Sequence, residues 1–213
     1  MIESASGIIL RTRPLTETSL IVHWLTPQFG RVATAAKGAR RAKSPFLGKL
    51  DLFYEGDFSF SRSRRSELHA LREVSLRQTH SSLRGDLKYL QQAAYAAALI
   101  EQTTEMETPL QGIHALMRRT LSHLPTQPPR PQTIFAFELK LLIELGQQPD
   151  LSKSSLTAGS RRIAAKLAAE GWTSIAILKL AKAQIGELSQ YLHGYLIYHL
   201  GRIPDNRSAA IGL

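Results

Sequence analysis

Over the first 80 or so residues, apolar and polar positions alternate in short runs separated by turn residues; beyond them, apolar positions recur every three or four residues. The first pattern predicts five strands. Residues 7–13 (GIILRTR) and 19–26 (SLIVHWLT) are rich in β-branched and aromatic side chains, with residues 14–18 as a short connection. After a turn at 27–30, residues 31–36 (RVATAA) form the third. Residues 50–61 (LDLFYEGDFSFS) alternate around Gly56, which marks a bulge or sharp bend. Residues 67–78 close the series, with Leu68, Ala70, Val74 and Leu76 expected to point inward. Five strands in so short a stretch suit a small barrel of the oligonucleotide-binding type.

The second pattern predicts helices. Residues 86–107 are alanine-rich, with Leu87, Leu90, Ala94, Ala97 and Glu101 at helical spacing. Thr108, Pro109 and Gln111 supply a cap, a first-turn proline and a capping-box glutamine for a helix running to Leu124, and Pro125 ends it. A proline-rich connection (126–132) leads to residues 133–145 (TIFAFELKLLIEL), apolar on nearly every side and so expected at the centre of the helical part, with Gly146 as its C-cap. Residues 160–170, 173–183 and 187–200 read as three more helices, and Ser160 as a helix cap. The expected class is α+β: an oligonucleotide-binding barrel over residues 1–80, then an all-α domain over 81–213.

Charge sharpens this picture. The chain carries a net charge of +10, the footprint of a polyanion binder. Residues 1–80 hold 13 Lys and Arg against 7 Asp and Glu, and 81–213 hold 14 against 10, so the shorter half is denser in positive charge. Residues 30–49 contain six basic residues and no acidic one. A run of like charge repels itself unless an anion supplies the counter-charge. A nucleotide phosphate loop is excluded, because Ala42 stands where G-x-x-x-x-G-K-[ST] requires its second glycine. We therefore expect Arg11, Lys37, Arg40, Arg41 and Lys43 to contact nucleic-acid phosphates, and Arg62, Arg64 and Arg65 to form a second patch. Phe46, beside the basic loop, is the candidate for base stacking.

Other chemistry finds little support. There is no cysteine, which excludes disulfides and thiolate metal sites and fits a reducing compartment. The seven histidines are scattered, His193 and His199 lie six apart, and G-x-S-x-G is absent. Asp51, Glu55 and Asp57 are the only acidic cluster of the barrel half; alternation places them on one strand face, more as solvated side chains than as a nuclease metal site. No signal peptide or long apolar span is evident, so the expectation is a soluble, cytoplasmic chain without cofactor. On residues alone, a non-enzymatic DNA-binding protein, an RNA-binding barrel protein of ribosome assembly and a nucleic-acid hydrolase stay open, the last disfavoured by its carboxylates.

Three stretches carry a resemblance. GIILRTRPLTETSLIVHWLTPQFGRVATAAKGARRAKSPFLGKL resembles the N-terminal domain of the bacterial RecO family; FELKLLIELGQQPDL resembles the family's central helix, and YLIYHLGRIPDNR its C-terminal helix and tail. The resemblance implies an oligonucleotide-binding barrel followed by helices, and a nucleoid-associated recombination mediator. Such a protein binds single- and double-stranded DNA, anneals complementary strands, and works with RecR and single-stranded DNA-binding protein to load the RecA recombinase at gaps. It also implies a groove for the acidic C-terminal tail of single-stranded DNA-binding protein. Here the apolar wall would be residues 133–145, including Phe135, and the rim Arg118, Arg119, Arg130 and Lys140. Two departures stand out. Many members follow the central helix with two zinc-binding CxxC pairs, whereas Ser154 and Thr157 stand where the first would fall and the second has no counterpart, so no zinc is expected. Asp205 and Asn206 precede Arg207 where a basic residue and a serine are usual, which weakens any DNA contact there.

Overall fold

Why the first part closes on itself is visible in the pairing of its strands. The computed structural model describes residues 1–212. Strands β1 (Ile2–Pro14), β2 (Leu20–Thr26), β3 (Gly30–Ala36), β4 (Glu55–Ser61) and β5 (Leu68–Gln78) form a closed barrel in the order β1-β2-β3-β5-β4. All pairs are antiparallel except β3 with β5, and β1 is long enough to pair with β2 at one end and β4 at the other. Ile9, Val22, Trp24, Val32, Phe58, Phe60, Leu71 and Val74 fill the interior. Trp24 stacks on Phe58 with centroids 4.1 Å apart and donates its indole N–H to Thr34 Oγ1 at 2.9 Å, so its one polar atom is satisfied inside the barrel.

The barrel half departs from the sequence pattern in three places. The first strand begins at Ile2, not 7, because residues 2–6 pair with β4. The fourth begins only at Glu55: Phe53 adopts φ +66° and turns inward, exchanging backbone bonds with Ile9 through residues 53 and 54. Asp51 therefore lies in an exposed loop before the strand, while Glu55, buried, and Asp57, half-buried, stand two apart on β4, so the three carboxylates do not share one strand face. In β5 the register slips so that Phe60 faces Leu71 while Ser59 faces Glu73. That extra residue reverses the alternation, and His69 and Leu71 are buried where Leu68 and Ala70 were expected.

Contacts divide the chain into two units: Met1–Ser81 with Thr104–Arg118, and Ser82–Thr103 with the residues from Arg119 on. Helix α1 (Leu87–Thr103) belongs to the second unit, and the chain then returns to the first. There Glu107 N–H donates to the Arg31 carbonyl at 2.9 Å and Leu110 N–H to the Pro27 carbonyl at 3.2 Å. Gly30 sits at φ +64°, and a Cβ on it would fall 1.7 Å from the Thr108 carbonyl oxygen, so only glycine allows this approach. Because 106–110 is held along the barrel, α2 (Gln111–His123) starts two residues later than a Thr108 cap with Pro109 at the first helical position suggests.

In the helical unit α3 (Pro131–Glu144) touches α1, α4 (Ala158–Ala169), α5 (Trp172–Ile177), α6 (Lys182–Leu200) and α7 (Arg207–Ile211). Its apolar circumference is buried from Gln132 to Leu139, as its composition predicts. At its centre lies Glu138, which accepts from Arg207 Nε at 2.6 Å, from a second Arg207 nitrogen at 2.9 Å and from the Tyr95 hydroxyl at 2.6 Å. Burial opposes the Arg207 charge, yet the bonds to Glu138 hold its pKa above the ordinary value. Arg207 is thus an internal residue, not a tail contact for DNA.

Further differences concern helix phase and ends. The buried side of α1 is Gln92, Ala93, Tyr95, Ala96, Ala97, Leu99 and Ile100, so of the expected positions Ala97 is buried while Leu87 is exposed; in an alanine-rich helix two faces look alike by hydrophobicity. The cap of α4 is Thr157, which accepts from Ser160 N–H, so Ser160 lies inside the helix instead of at its start. The expected helix over 173–183 is cut short at Ile177, where Arg130 and Gln132 side chains take the Ala176 and Leu178 carbonyls. Among the described residues no helix is long and apolar enough to cross a membrane.

Candidate nucleic-acid interface

Register gathers the first set of predicted cations at one end of the barrel. Arg13 pairs with Ile21 and Ile21 with Ala35, so Arg11 and Arg13 at the end of β1 lie beside the end of β3, where Lys37 follows. Gly38, at φ +70°, turns the chain out of β3. The following loop is then pinned to the β1–β2 connection: Gly38 N–H donates to Ser19 Oγ at 3.3 Å, and Arg40 N–H to the Thr18 carbonyl at 2.9 Å. Arg40 also donates to the Thr16 carbonyl. The backbone is fixed while the side chains of Lys37, Arg40, Arg41 and Lys43 are exposed, as is Arg11. Among the described residues no ion pair engages those four loop cations. A rigid backbone holding several cations in water can neutralise phosphates without first ordering itself.

The field of this end is felt by His23, which faces Arg11 across the β1–β2 pair. Burial first, then Arg11, Arg13 and Arg31, lower its pKa to about 4, so it is neutral at physiological pH. Arg13 was not singled out in the sequence, although its two-residue spacing from Arg11 was the available signal.

The second predicted patch divides. Arg62 donates to Glu3 Oε1 and Oε2 at 2.9 and 3.1 Å and to Glu107 at 2.6 Å. The hydrogen bond to Glu3 is the main cause that raises the Arg62 pKa and lowers that of Glu3. Glu107 also holds the buried His69 at 2.6 Å, and His69 Nδ1 accepts from Ser63 N–H, which leaves its Nε2–H to donate. Arg62 therefore fastens the 104–118 segment to the barrel and is withdrawn from the phosphate set. Arg64 and Arg65 are exposed. Since β5 runs parallel to β3 with Leu68 beside Ala33, their loop lies toward the start of β3, at the opposite end from Lys37.

Two other expectations are corrected. Phe46 is 7% exposed and belongs to the barrel core, so it is not a stacking platform. The apolar wall proposed on α3 is internal, with Phe135 fully buried. Lys140 spends its ammonium on the Ala168 and Glu170 carbonyls, at 3.0 and 2.8 Å, where it closes the end of α4, and burial lowers its pKa. Arg130 is committed to α5. Only Arg118 and Arg119 of that set are exposed.

The positions aligned with the family's first CxxC do not fit zinc. Ser154 Oγ donates to the Leu151 carbonyl at 2.7 Å, and Thr157 Oγ1 is bonded to Glu187 at 2.9 Å while capping α4. Among the described residues no three His, Asp or Glu side chains gather as a metal would need.

Comparison with known proteins bears on both units. Residues 1–80 match the family model described as "Recombination protein O N terminal", and 84–158 the one described as "Recombination protein O C terminal". Relatives named "DNA repair protein RecO" include those of Alkaliphilus metalliredigens (33% identical over 153 residues, 71% of this chain and 61% of the relative) and Anaeromyxobacter sp. strain K (33% over 146 residues, 68% and 58%). That of Bacillus pumilus is 29% identical over 153 residues, 72% of this chain and 59% of the relative. The matches thus span about three fifths of these relatives' length.

Proposed function

The chain belongs to the RecO family, and from that premise we propose that it is a DNA-repair and recombination mediator that binds DNA through the cationic end of its barrel. The observation that carries this reading is the β3–β4 loop, whose four exposed cations sit on a pinned backbone with no carboxylate partner among the described residues. Their counter-charge is the DNA backbone. Neutralising phosphates releases condensed cations and supplies affinity on single and double strands alike, without reading sequence. Two complementary strands held on one positive surface repel each other less, which speeds their annealing. The chain makes and breaks no covalent bond in this scheme. The position of Asp51 outside β4 and the hydrogen bonds that Asp57 accepts from Ser6 and Arg77 support that view, since a two-metal nuclease needs its carboxylates together and open to the metals. In the cell it would act at the nucleoid in the cytoplasm, with RecR, on gaps covered by single-stranded DNA-binding protein, preparing them for RecA. The burial of Phe135 directs the search for a tail-binding groove away from α3.

A strand-annealing assay tests the proposal. Complementary oligonucleotides, bare or coated with single-stranded DNA-binding protein, are mixed with the chain, and RecR is added in a second series. We expect annealing of both substrates, faster at low salt. Tight binding to structured RNA with no annealing of DNA would instead favour a role in RNA assembly.

A further inference from the structure

The helical unit carries an aromatic face that its own packing leaves open. Tyr191, Gly194, Tyr195, Tyr198 and His199 recur at three- and four-residue spacing on α6, and with Leu156 they line a groove of about 590 Å³. The rings form a continuous file, with centroids 6.0 Å apart from Tyr191 to Tyr195, 4.2 Å from Tyr195 to His199 and 5.0 Å from His199 to Tyr198. Tyr195 is steadied by donating its hydroxyl to the Gln147 carbonyl at 3.2 Å. Tyr198 is 84% exposed, well beyond what packing would leave for so large a ring. A Cβ on Gly194 would meet nothing within 4 Å, so the floor between Tyr191 and Tyr198 is bare backbone. Glycine inside a helix weakens it, and here the space it leaves is open.

Charge narrows the occupant. From Leu188 to Pro204 there is no Asp or Glu, and Arg202 stands exposed four residues after Tyr198. Among the described lining residues the one carboxylate is Glu187, which accepts from Thr157 and Ser160 of the α4 N-terminus, and Asp150 lies near enough to Tyr191 to add, after burial and Tyr195, to the rise in its pKa. No Lys or Arg lines the groove itself. Rings open to water along a helix suit planar groups that can stack on them, and Arg202 supplies a cation beyond the last tyrosine.

We propose that this face binds single-stranded DNA through its bases, which stack on Tyr198 and His199 over the gap at Gly194, with Arg202 meeting an adjoining phosphate. The proposal rests on the DNA-binding reading above and adds a contact of another kind: the barrel end takes phosphates, and α6 takes bases.

The test measures equilibrium binding of the full chain to a thymine oligonucleotide and to the same strand carrying abasic sites. Tyr198→Ala should weaken binding to the intact strand about fivefold or more, the range for losing one stacked base. Gly194→Leu should do the same by filling the gap while raising helix propensity, so a loss with an undiminished melting temperature is not unfolding. Wild type should lose similarly on the abasic strand, where the variants lose little more, and the salt slope should be unchanged. Wild-type-like affinity of both variants for the intact strand overturns the proposal, as does an equal loss on intact and abasic strands. Variants that lose only an acidic, apolar-tipped peptide show a protein-docking face and overturn it too. A wild-type chain that binds no single strand at all defeats the DNA-binding reading and this one with it.

Discussion

In the β3–β4 loop, Arg40 and Arg41 stand in water with no carboxylate partner among the described residues, whereas Arg207 is 5% exposed and grips Glu138 with two hydrogen bonds. Arg62 lies between these extremes, half-buried and shared between Glu3 and Glu107. The side chain is the same in all three settings; the source of its counter-charge differs. Where the fold supplies the anion, the arginine holds elements together. Where it does not, the anion must come from outside, and the arginine is available for binding.

The sharpest way to break this contrast is to remove the internal anion. Glu138→Ala leaves Arg207 buried without its counter-charge, and we expect a loss of about 3–5 kcal/mol in urea unfolding. Replacing both partners by leucine should cost much less, because no buried charge is then left alone. DNA affinity of the folded fraction should not change in either case.

Stripping the loop should do the reverse. With Lys37, Arg40, Arg41 and Lys43 all replaced by alanine, the slope of log affinity against log salt on single strands should flatten by roughly two to three units, at about 0.7 per phosphate contact. Annealing should slow most at low salt, and stability should stay within about 0.5 kcal/mol of wild type. A quadruple variant with its slope and annealing rate intact would mean that the loop is only solvated surface.

Arg62 and its neighbours divide the two behaviours within four residues of chain. Arg62→Ala should cost about 1–2 kcal/mol of stability, since it leaves Glu3 without its arginine and Glu107 with His69 alone, and should barely touch the salt slope. The Arg64→Ala, Arg65→Ala pair should spare stability and lower the slope by at most about 1.4 units.

The smallest effect concerns pH. His23 and His114 are both held at about 4, the first by burial and the cations around it, the second by burial and Arg118. Between that value and the ordinary imidazole value near 6.5, the unfolded chain binds protons that the folded chain does not. Their share of stability is therefore complete above about pH 6.5 and is lost as the pH falls through 4, by something on the order of 1 kcal/mol once solvent screening of His23 is allowed for. His114→Gln should flatten the fall measured by thermal unfolding. The loop arginines do not titrate in that window, so their salt slope should not follow it.

Much of this was legible in the chain. Strand and helix types followed from periodicity, the central place of α3 from its apolar circumference, and the exposed basic loop from six cations without an acid. What escaped depended on partners distant in sequence. Nothing near Arg62 shows that Glu107 will return to it 45 positions later. Arg207 looked like a tail cation because its partner is 69 positions earlier. The extra residue in β5 is silent as well, since His69 and Leu71 are no less plausible inward residues than Leu68 and Ala70 until the register is known. Phe46 was misjudged because a long loop can turn one side chain back into the core while exposing its neighbours.

The return of residues 104–118 to the barrel unit sets an order on synthesis. The ribosome delivers all five strands and then α1, a helix of the other unit, before the segment that completes the first. Until Glu107 clears the exit tunnel, Arg62 lacks one of its two anions and the His69 ring has no acceptor for its Nε2–H. A nascent chain, or a fragment cut at residue 81, would present a barrel with that flank unfastened. Each unit therefore matures only when part of the other has already been made, and the connections that link them in sequence are also the ones that time their folding.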